Sequence, residues 1–262
     1  MLVIERHEMI VRLVNEKGSM RVSELSEICN VTEETIRRDL DRLEQAGRLL
    51  RSHGGAVSVA DQQPEDPYLE REITRMEEKK RIAQEAIKYI EPRDRIILDA
   101  STTAWYMASI LPDIPLTVLT NSLKVAMELS TKEKIEVIST GGIMSARSLS
   151  FVGPSAERSL DAYHVNKAFL SCKGVHLGRG ISESNEMQAL VKRKMISIAD
   201  HVLLLADHSK FGVQAFTYFA ELSQIDEIIT DDKIDPQYVQ QLEEMAVKLT
   251  VAPSSRASVR QV

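Results

Sequence analysis

The sequence predicts an α/β chain in two parts: a small N-terminal winged helix-turn-helix module, then a larger α/β domain built on a mostly parallel sheet. Three observations carry that reading. Residues 22–56, VSELSEICNVTEETIRRDLDRLEQAGRLLRSHGGA, hold two short helical patterns joined by a tight turn and followed by a basic hairpin. From residue 95 onward, short β-branched runs alternate with helical stretches. Between the two, residues 60–67 carry two prolines, three acids and no large apolar group, which is the composition of a linker.

Taken in order, residues 4–16 form a helical pattern with Ile10, Leu13 and Val14 inward and Gly18 as the stop. Ser23 is the expected N-cap of the next helix, which carries Leu25 and Ile28 inward. Asn30-Val31-Thr32 makes the turn, and Thr32 caps the second helix. There Ile36, Leu40 and Leu43 make one apolar stripe, leaving Arg37, Arg38, Asp41 and Arg42 toward solvent. Glu33 and Glu34 occupy the first turn, where the helix dipole favours anions, and Gly47 ends the helix. Arg48 to Ala56 reads as a hairpin turning at Gly54-Gly55.

Such a module sets its second helix into the major groove of double-stranded DNA. The candidate contacts are Thr32, Glu34, Thr35, Arg37, Arg38 and Arg42 on that helix, with Arg51, His53 and Gly54 on the wing. Net charge does not announce this partner: the chain carries −6, and residues 1–60 hold nine Lys/Arg against ten Asp/Glu. Segregation does, because residues 35–55 hold five arginines against three acids.

Residues 68–90 read as one long charged helix with Ile82, Ala83, Ala86, Ile87 and Ile90 inward and Pro92 at its end. Its Arg71, Arg75, Lys79, Lys80 and Arg81 interleave with Glu70, Glu72, Glu77 and Glu78 and read as a solvated face. Strands are expected at 96–99, 116–120, 135–140, 168–172, 202–207, 227–230 and 248–251, and helices at 103–111, 123–129, 155–160, 186–199 and 236–246. The expected division is a DNA-binding domain at 1–58, a linker at 59–67, an α/β domain at 68–252 and a disordered tail at 253–262.

Composition narrows the class. A length of 262 residues with 43% hydrophobic and 27% charged residues suits two globular domains. The start MLVIERHE is not a signal peptide and no long apolar run appears, so a soluble cytoplasmic protein without a membrane partner is expected. Cys29 and Cys172 fall in different parts and neither has a Cys or His at metal spacing, so neither disulfide, metal nor cofactor is expected.

In open α/β sheets ligands bind beyond the carboxyl ends of the strands. Three successive strands here end in small polar groups: Asp99-Ala100-Ser101-Thr102-Thr103, Thr120-Asn121-Ser122 and Thr140-Gly141-Gly142. Hydroxyls and N–H groups at helix starts suit a phosphate, and glycines admit close backbone approach. Lys173 and Lys210 supply charge, Asp99 or Glu183 suits sugar hydroxyls, and Arg147 joins the candidate contacts. His208 reads as a base or a bystander.

Both parts resemble the DeoR family of bacterial transcriptional regulators. The family's VTxETIRRDLxxLExxGxLxRxHGGA is matched at Val31, Thr32, Glu34 to Leu40, Leu43, Glu44, Gly47, Leu49, Arg51 and His53 to Ala56. The family's D-x-S/G-T-T, T-N-S, paired glycines and D-x-S-K-F-G are matched at Asp99 to Thr103, Thr120 to Ser122, Gly141-Gly142 with Gly153, and Asp207 to Gly212. Lys173 and Ala100 depart from the common pattern. The resemblance implies a sensor domain similar in fold to ribose-5-phosphate isomerase. It also implies a homo-oligomer, dimer or tetramer, acting in the bacterial cytoplasm on the nucleoid. The implied function is repression of a carbohydrate-catabolism operon, relieved by a phosphorylated sugar effector. The alternatives are an activator of the same operon, and a sugar-phosphate isomerase carrying a DNA-binding domain, with Asp99, Glu183 or Asp207 as base.

Overall fold

A computed structural model describes residues 3–17, 19–46, 48–52, 54–58 and 65–254. The chain divides into two compact units, Met1–Pro64 and Glu65–Val262. Glu65, Asp66 and Pro67, expected in the linker, therefore belong with the second unit; residues 59–64, and 255–262 of the expected tail, lie outside the described residues.

The first unit runs α1 (Val3–Lys17), β1 (Ser19–Arg21), α2 (Val22–Cys29), α3 (Glu33–Gln45), β2 (Leu49–Ser52) and β3 (Gly55–Ser58). The strands form an antiparallel sheet in the order β1-β3-β2. Ile10, Val14, Leu25, Ile36, Leu40 and Leu49 are fully buried and make the core. Two expectations for α2 are corrected. Its N-cap is Arg21 rather than Ser23, because the three-residue β1 runs straight into the helix, and the Arg21 N–H donates to the Glu24 side chain at 3.0 Å. Ile28 is 45% exposed; the inward position one residue later is taken by the buried Cys29. Thr32 caps α3 as expected, its hydroxyl accepting from the Thr35 N–H at 3.3 Å. The wing needs glycine at its tip: Gly54 takes φ 98°, and a Cβ on Gly55 would stand 2.1 Å from the Met20 carbonyl oxygen. Gly18, Gly47 and His53 lie outside the described residues.

The second unit begins with α4 (Tyr68–Ile73), α5 (Met76–Ala86), β4 (Arg95–Leu98), α6 (Thr102–Ile110), β5 (Leu116–Thr120), α7 (Leu123–Leu129) and β6 (Ile135–Ser139). It continues with β7 (Ile143–Ser145), β8 (Ser150–Val152), α8 (Pro154–Leu160), β9 (Val165–Leu170), β10 (Gly174–His176), β11 (Gly180–Glu183) and α9 (Glu186–Ser197). It closes with β12 (Ala199–Leu205), β13 (Thr217–Ala220), β14 (Glu227–Asp231), α10 (Pro236–Glu244) and β15 (Lys248–Ala252). Seven strands form one parallel sheet in the order β15-β14-β12-β9-β4-β5-β6. The runs Ile96-Ile97-Leu98 and Val202 to Leu205 are buried on both faces, as parallel strands require. Ile96, Leu98, Leu203 and Leu205 pack with α5, α6 and α7, while Ile97, Val202 and Leu204 pack with α8, α9 and α10.

One helix expectation fails. The long helix at 68–90 is broken between α4 and α5, where Arg75 adopts φ 52° without a glycine to mark the break. The hairpin β7-β8 and the antiparallel sheet β10-β11-β13 have no counterpart in the sequence reading; their strands are three or four residues long. No helix among the described residues is long and apolar enough to cross a membrane.

Candidate functional site

The order of the parallel sheet reverses between β4 and β9: β5 and β6 follow to one side, β12, β14 and β15 to the other. A crevice beyond the carboxyl ends of the strands is expected there. A cavity of about 470 Å³ lies at that place, within the size range of small-molecule sites. Asp99, the residue after β4, is fully buried and ties the two sides together: its carboxylate accepts from the Ser101 N–H at 3.0 Å and the Ser171 N–H at 2.8 Å. Asp99 is not among the residues that line the cavity.

The N-terminus of α6 points into the cavity. The Ser101 hydroxyl caps it by accepting from the Ala104 N–H at 3.0 Å, which leaves the Thr102 and Thr103 N–H groups outside the helical ladder. Of the candidate effector contacts, Ser101, Thr102, Thr103, Lys173, Glu183 and Lys210 line the cavity. Lys192, absent from the prediction, is the central cation. Its ammonium lies 2.6 Å from Glu183 and 3.2 Å from Asp99, and it donates to the Ser171 carbonyl at 2.7 Å. Burial alone would push the Glu183 carboxyl up, but Lys192 outweighs it and holds the carboxyl below its ordinary value. Lys192 in turn is held above its own value against the burial cost.

Arg71, Arg75 and Lys79 also line the cavity. The break before α5 redirects this segment, so a face expected to be solvated turns onto the site. Burial, with Lys210 nearby, pushes Lys79 down to about 8. Burial also raises the Cys172 thiol to about 12, which makes it an inert wall rather than a nucleophile. His208 pairs with the fully buried Asp231 at 2.9 Å and does not line the cavity.

The remaining predicted contacts are placed elsewhere. Thr120, Asn121 and Ser122 are buried at the end of β5, where the Ser122 hydroxyl caps α7 and the Asn121 amide donates to the Phe151 carbonyl at 3.0 Å. Gln188 from α9 joins them, donating to Ser148 at 2.9 Å and Ser150 at 2.6 Å. Gly142 packs so closely on β8 that a Cβ would stand 2.8 Å from the Val152 carbonyl oxygen; neither it nor Gly141 lines the cavity. Arg147 lies outside the lining and donates to the Glu65 carbonyl instead.

In the first unit, α3 presents Glu34, Arg37, Arg38 and Arg42 to solvent, with Thr35 half-buried beside them. Arg37 rests 2.6 Å from Glu33 and Arg38 3.4 Å from Glu34, exposed i,i+4 pairs that nearby phosphates can replace at little cost. Arg51 on β2 pairs with Asp41 of α3, and its backbone N–H donates to Glu44 at 2.9 Å, so the wing is fastened to the helix. Beneath it, Asp39 points inward, 2.6 Å from Arg6 Nε and 3.0 Å from His7 Nε2 of α1. The sequence signal for this was its place on the buried stripe, three residues after Ile36.

Comparison with known proteins gives a consistent picture. Residues 6–62 match the DeoR-like helix-turn-helix domain, and residues 74–232 match the DeoR C terminal sensor domain. The chain is 59% identical to the uncharacterized HTH-type transcriptional regulator YulB of Bacillus subtilis over 98% of this chain and 99% of that one. It is 40% identical to the L-fucose operon activator of Haemophilus influenzae, over 86% of this chain and 91% of that one. Identity to the HTH-type transcriptional repressor GlcR of Bacillus subtilis is 36%, over 94% and 95%. Ribose 5-phosphate isomerase A of Methanocaldococcus jannaschii is a distant structural likeness, with TM-score 0.38 and 19% identity over 51% of this chain and 53% of that one.

Proposed function

This chain belongs to the DeoR family of DNA-binding transcriptional regulators, and from that premise we propose that it controls a carbohydrate-catabolism operon in response to a phosphorylated sugar bound in the second unit. The observation that carries the effector class is the cavity at the sheet's reversal point. There an open helix N-terminus meets Arg71, Arg75, Lys79, Lys173, Lys192 and Lys210. The phosphate sits against Ser101 to Thr103 with Lys210 and Lys173 as charge partners, and Glu183 is the carboxylate nearest the sugar hydroxyls. We read the cavity as a sensor rather than a catalytic centre: Asp66, Glu183 and Asp207 are engaged by Lys173, Lys192 and Ser209, which leaves no unengaged base among them.

Repression relieved by the effector is the leading reading, in line with the repressor among the relatives. The activator at 40% identity favours activation as the second; the two differ in where the operator lies. One winged module buries only about 600–1,000 Å² on DNA, so the regulator works as a homo-oligomer reading repeated half-sites.

The test is substitution on α3. Arg37→Ala and Arg38→Ala are each expected to weaken operator binding about 5- to 140-fold, the worth of a bidentate base contact, while sugar-phosphate binding is unchanged. Unaltered operator affinity in both variants would move the recognition surface elsewhere. The cavity has its own test in pH. Burial pushes Lys79 down to about 8, so sugar-phosphate affinity is expected to fall between pH 7 and 9, after the phosphate's own ionisation at about 6 is complete. Lys79→Met removes that fall; a fall that persists in the variant assigns it to another group.

A further inference from the structure

The cation cluster of the second unit is already engaged by part of the chain. Glu65 and Asp66 enter the cavity from its N-terminal side. The Asp66 carboxylate stands 2.7 Å from Lys173 Nζ, and Glu65 Oε1 lies 3.0 Å from Arg71 Nη2 with the Glu65 side chain only 8% exposed. Their backbone is clamped as well. Arg71 Nε donates to the Asp66 carbonyl at 3.0 Å, Arg147 Nε donates to the Glu65 carbonyl, and the Tyr68 N–H donates to the Arg147 carbonyl at 2.8 Å. Residues 65–71 thus form a strap across one wall of the site, its first three residues from the segment whose composition reads as linker.

The fit of this strap to the cations is imperfect. Arg71 Nη2 is buried yet makes no hydrogen bond, so its approach to Glu65 is a charge contact without hydrogen-bond alignment. Burial raises the Glu65 carboxyl; Arg71 opposes the shift and Glu183 adds to it. A phosphate monoester, with about −1.5 to −2 charge and three acceptor oxygens, offers the same cations more than a lone carboxylate does.

We propose that Glu65 and Asp66 are a tethered anion that fills the cation cluster in the absence of effector, and that an anionic effector displaces them and frees the strap. This rests on reading the cavity as an anion sensor. It also supplies a route to the DNA-binding unit that needs no contact between effector and recognition helix. Residue 65 follows directly on Pro64, the last residue of the first unit, so the strap is continuous in sequence with that unit. The strap also lowers apparent effector affinity, because only the fraction of molecules with the strap displaced is competent to bind.

The experiment is calorimetric titration of the full-length protein with inorganic phosphate at fixed ionic strength, on wild type, Asp66→Asn and Glu65→Gln. It is paired with hydrogen exchange of the wild type with and without phosphate. Both variants are expected to bind phosphate about 5-fold or more tightly than wild type, the lower range of coupling between sites. In the wild type, phosphate is expected to speed exchange of the Tyr68 amide. If wild type and variants bind phosphate equally and the exchange is unchanged, the tethered anion is refuted while the anion sensor stands. If none of the three binds phosphate, the sensor reading falls and the tethered anion with it. Should a variant fail to fold, exchange in the wild type decides: acceleration at Tyr68 supports displacement, and an unchanged rate refutes it.

Discussion

Methionine in place of Lys192 is expected to lower the stability of the second unit by about 3–5 kcal/mol, because it removes the cation and leaves the carboxylates of Asp99 and Glu183 buried together. For a unit of this size that corresponds to a fall of about 6–20 °C in Tm, measured by calorimetry. The sign of the pH dependence identifies the cause. In the wild type Glu183 is held below its ordinary value, so its contribution is present at neutral pH and fades on acidification. In the variant Lys192 no longer opposes the effect of burial on Glu183, so that carboxyl shifts upward and stability is lost as pH rises. The gap between the two proteins should therefore narrow from pH 7 to pH 5. Adding Glu183→Gln should restore part of the loss. A gap that is constant with pH would attribute the loss to packing of the lysine stem alone.

Asp39→Ala is expected to cost about 3–5 kcal/mol in the first unit, where it strands the buried Arg6 guanidinium. A core of this size rarely supplies more than about 3–5 kcal/mol, so operator binding should disappear with the first unit's thermal transition while the second unit's transition remains. Burial alone would raise the Asp39 carboxyl, but Arg6 and His7 hold it below its ordinary value, the mark of a carboxylate committed to partners within the protein. The double variant Arg6→Met with Asp39→Leu replaces the pair by apolar groups and should recover folding and operator binding together. Recovered folding without recovered operator binding would instead make Asp39 part of the DNA contact surface.

The parts of this protein that local sequence decides were legible, and the parts decided by distant partners were not. In α3 the Thr32 cap, the acidic first turn and the stripe of Ile36, Leu40 and Leu43 all agree within one short segment. Asp39 lies on the same stripe, but its partner is 33 residues away, and nothing near it says that a carboxylate belongs inside. The seven parallel strands were legible as apolar runs, and the strand-end rule brought Ser101, Thr102, Thr103, Lys173, Glu183 and Lys210 to one cavity. The same rule over-reached at Thr120 to Ser122 and at Gly141-Gly142. β5 and β6 lie on the edge side of the reversal point, and their polar ends close on β8 and α9 instead. Arg71, Arg75 and Lys79 were misread because a helix break at a non-glycine residue leaves no local signal. Glu65 and Asp66 read as linker because their acids and prolines are linker composition. What holds Asp66 down is a lysine 107 positions further on, and what meets Glu65 is Arg71.

The most direct test of the sensor account is operator affinity under paired ligands. Fluorescence anisotropy of the full-length protein on labelled DNA from upstream of its own gene and the neighbouring operon would be followed with a panel of sugar phosphates and the corresponding free sugars. The account predicts that one sugar phosphate changes operator affinity by about 5- to 150-fold, the usual range of coupling between sites, while its unphosphorylated counterpart does not. Tight operator binding that no sugar phosphate alters, or that a free sugar alters equally well, would contradict it.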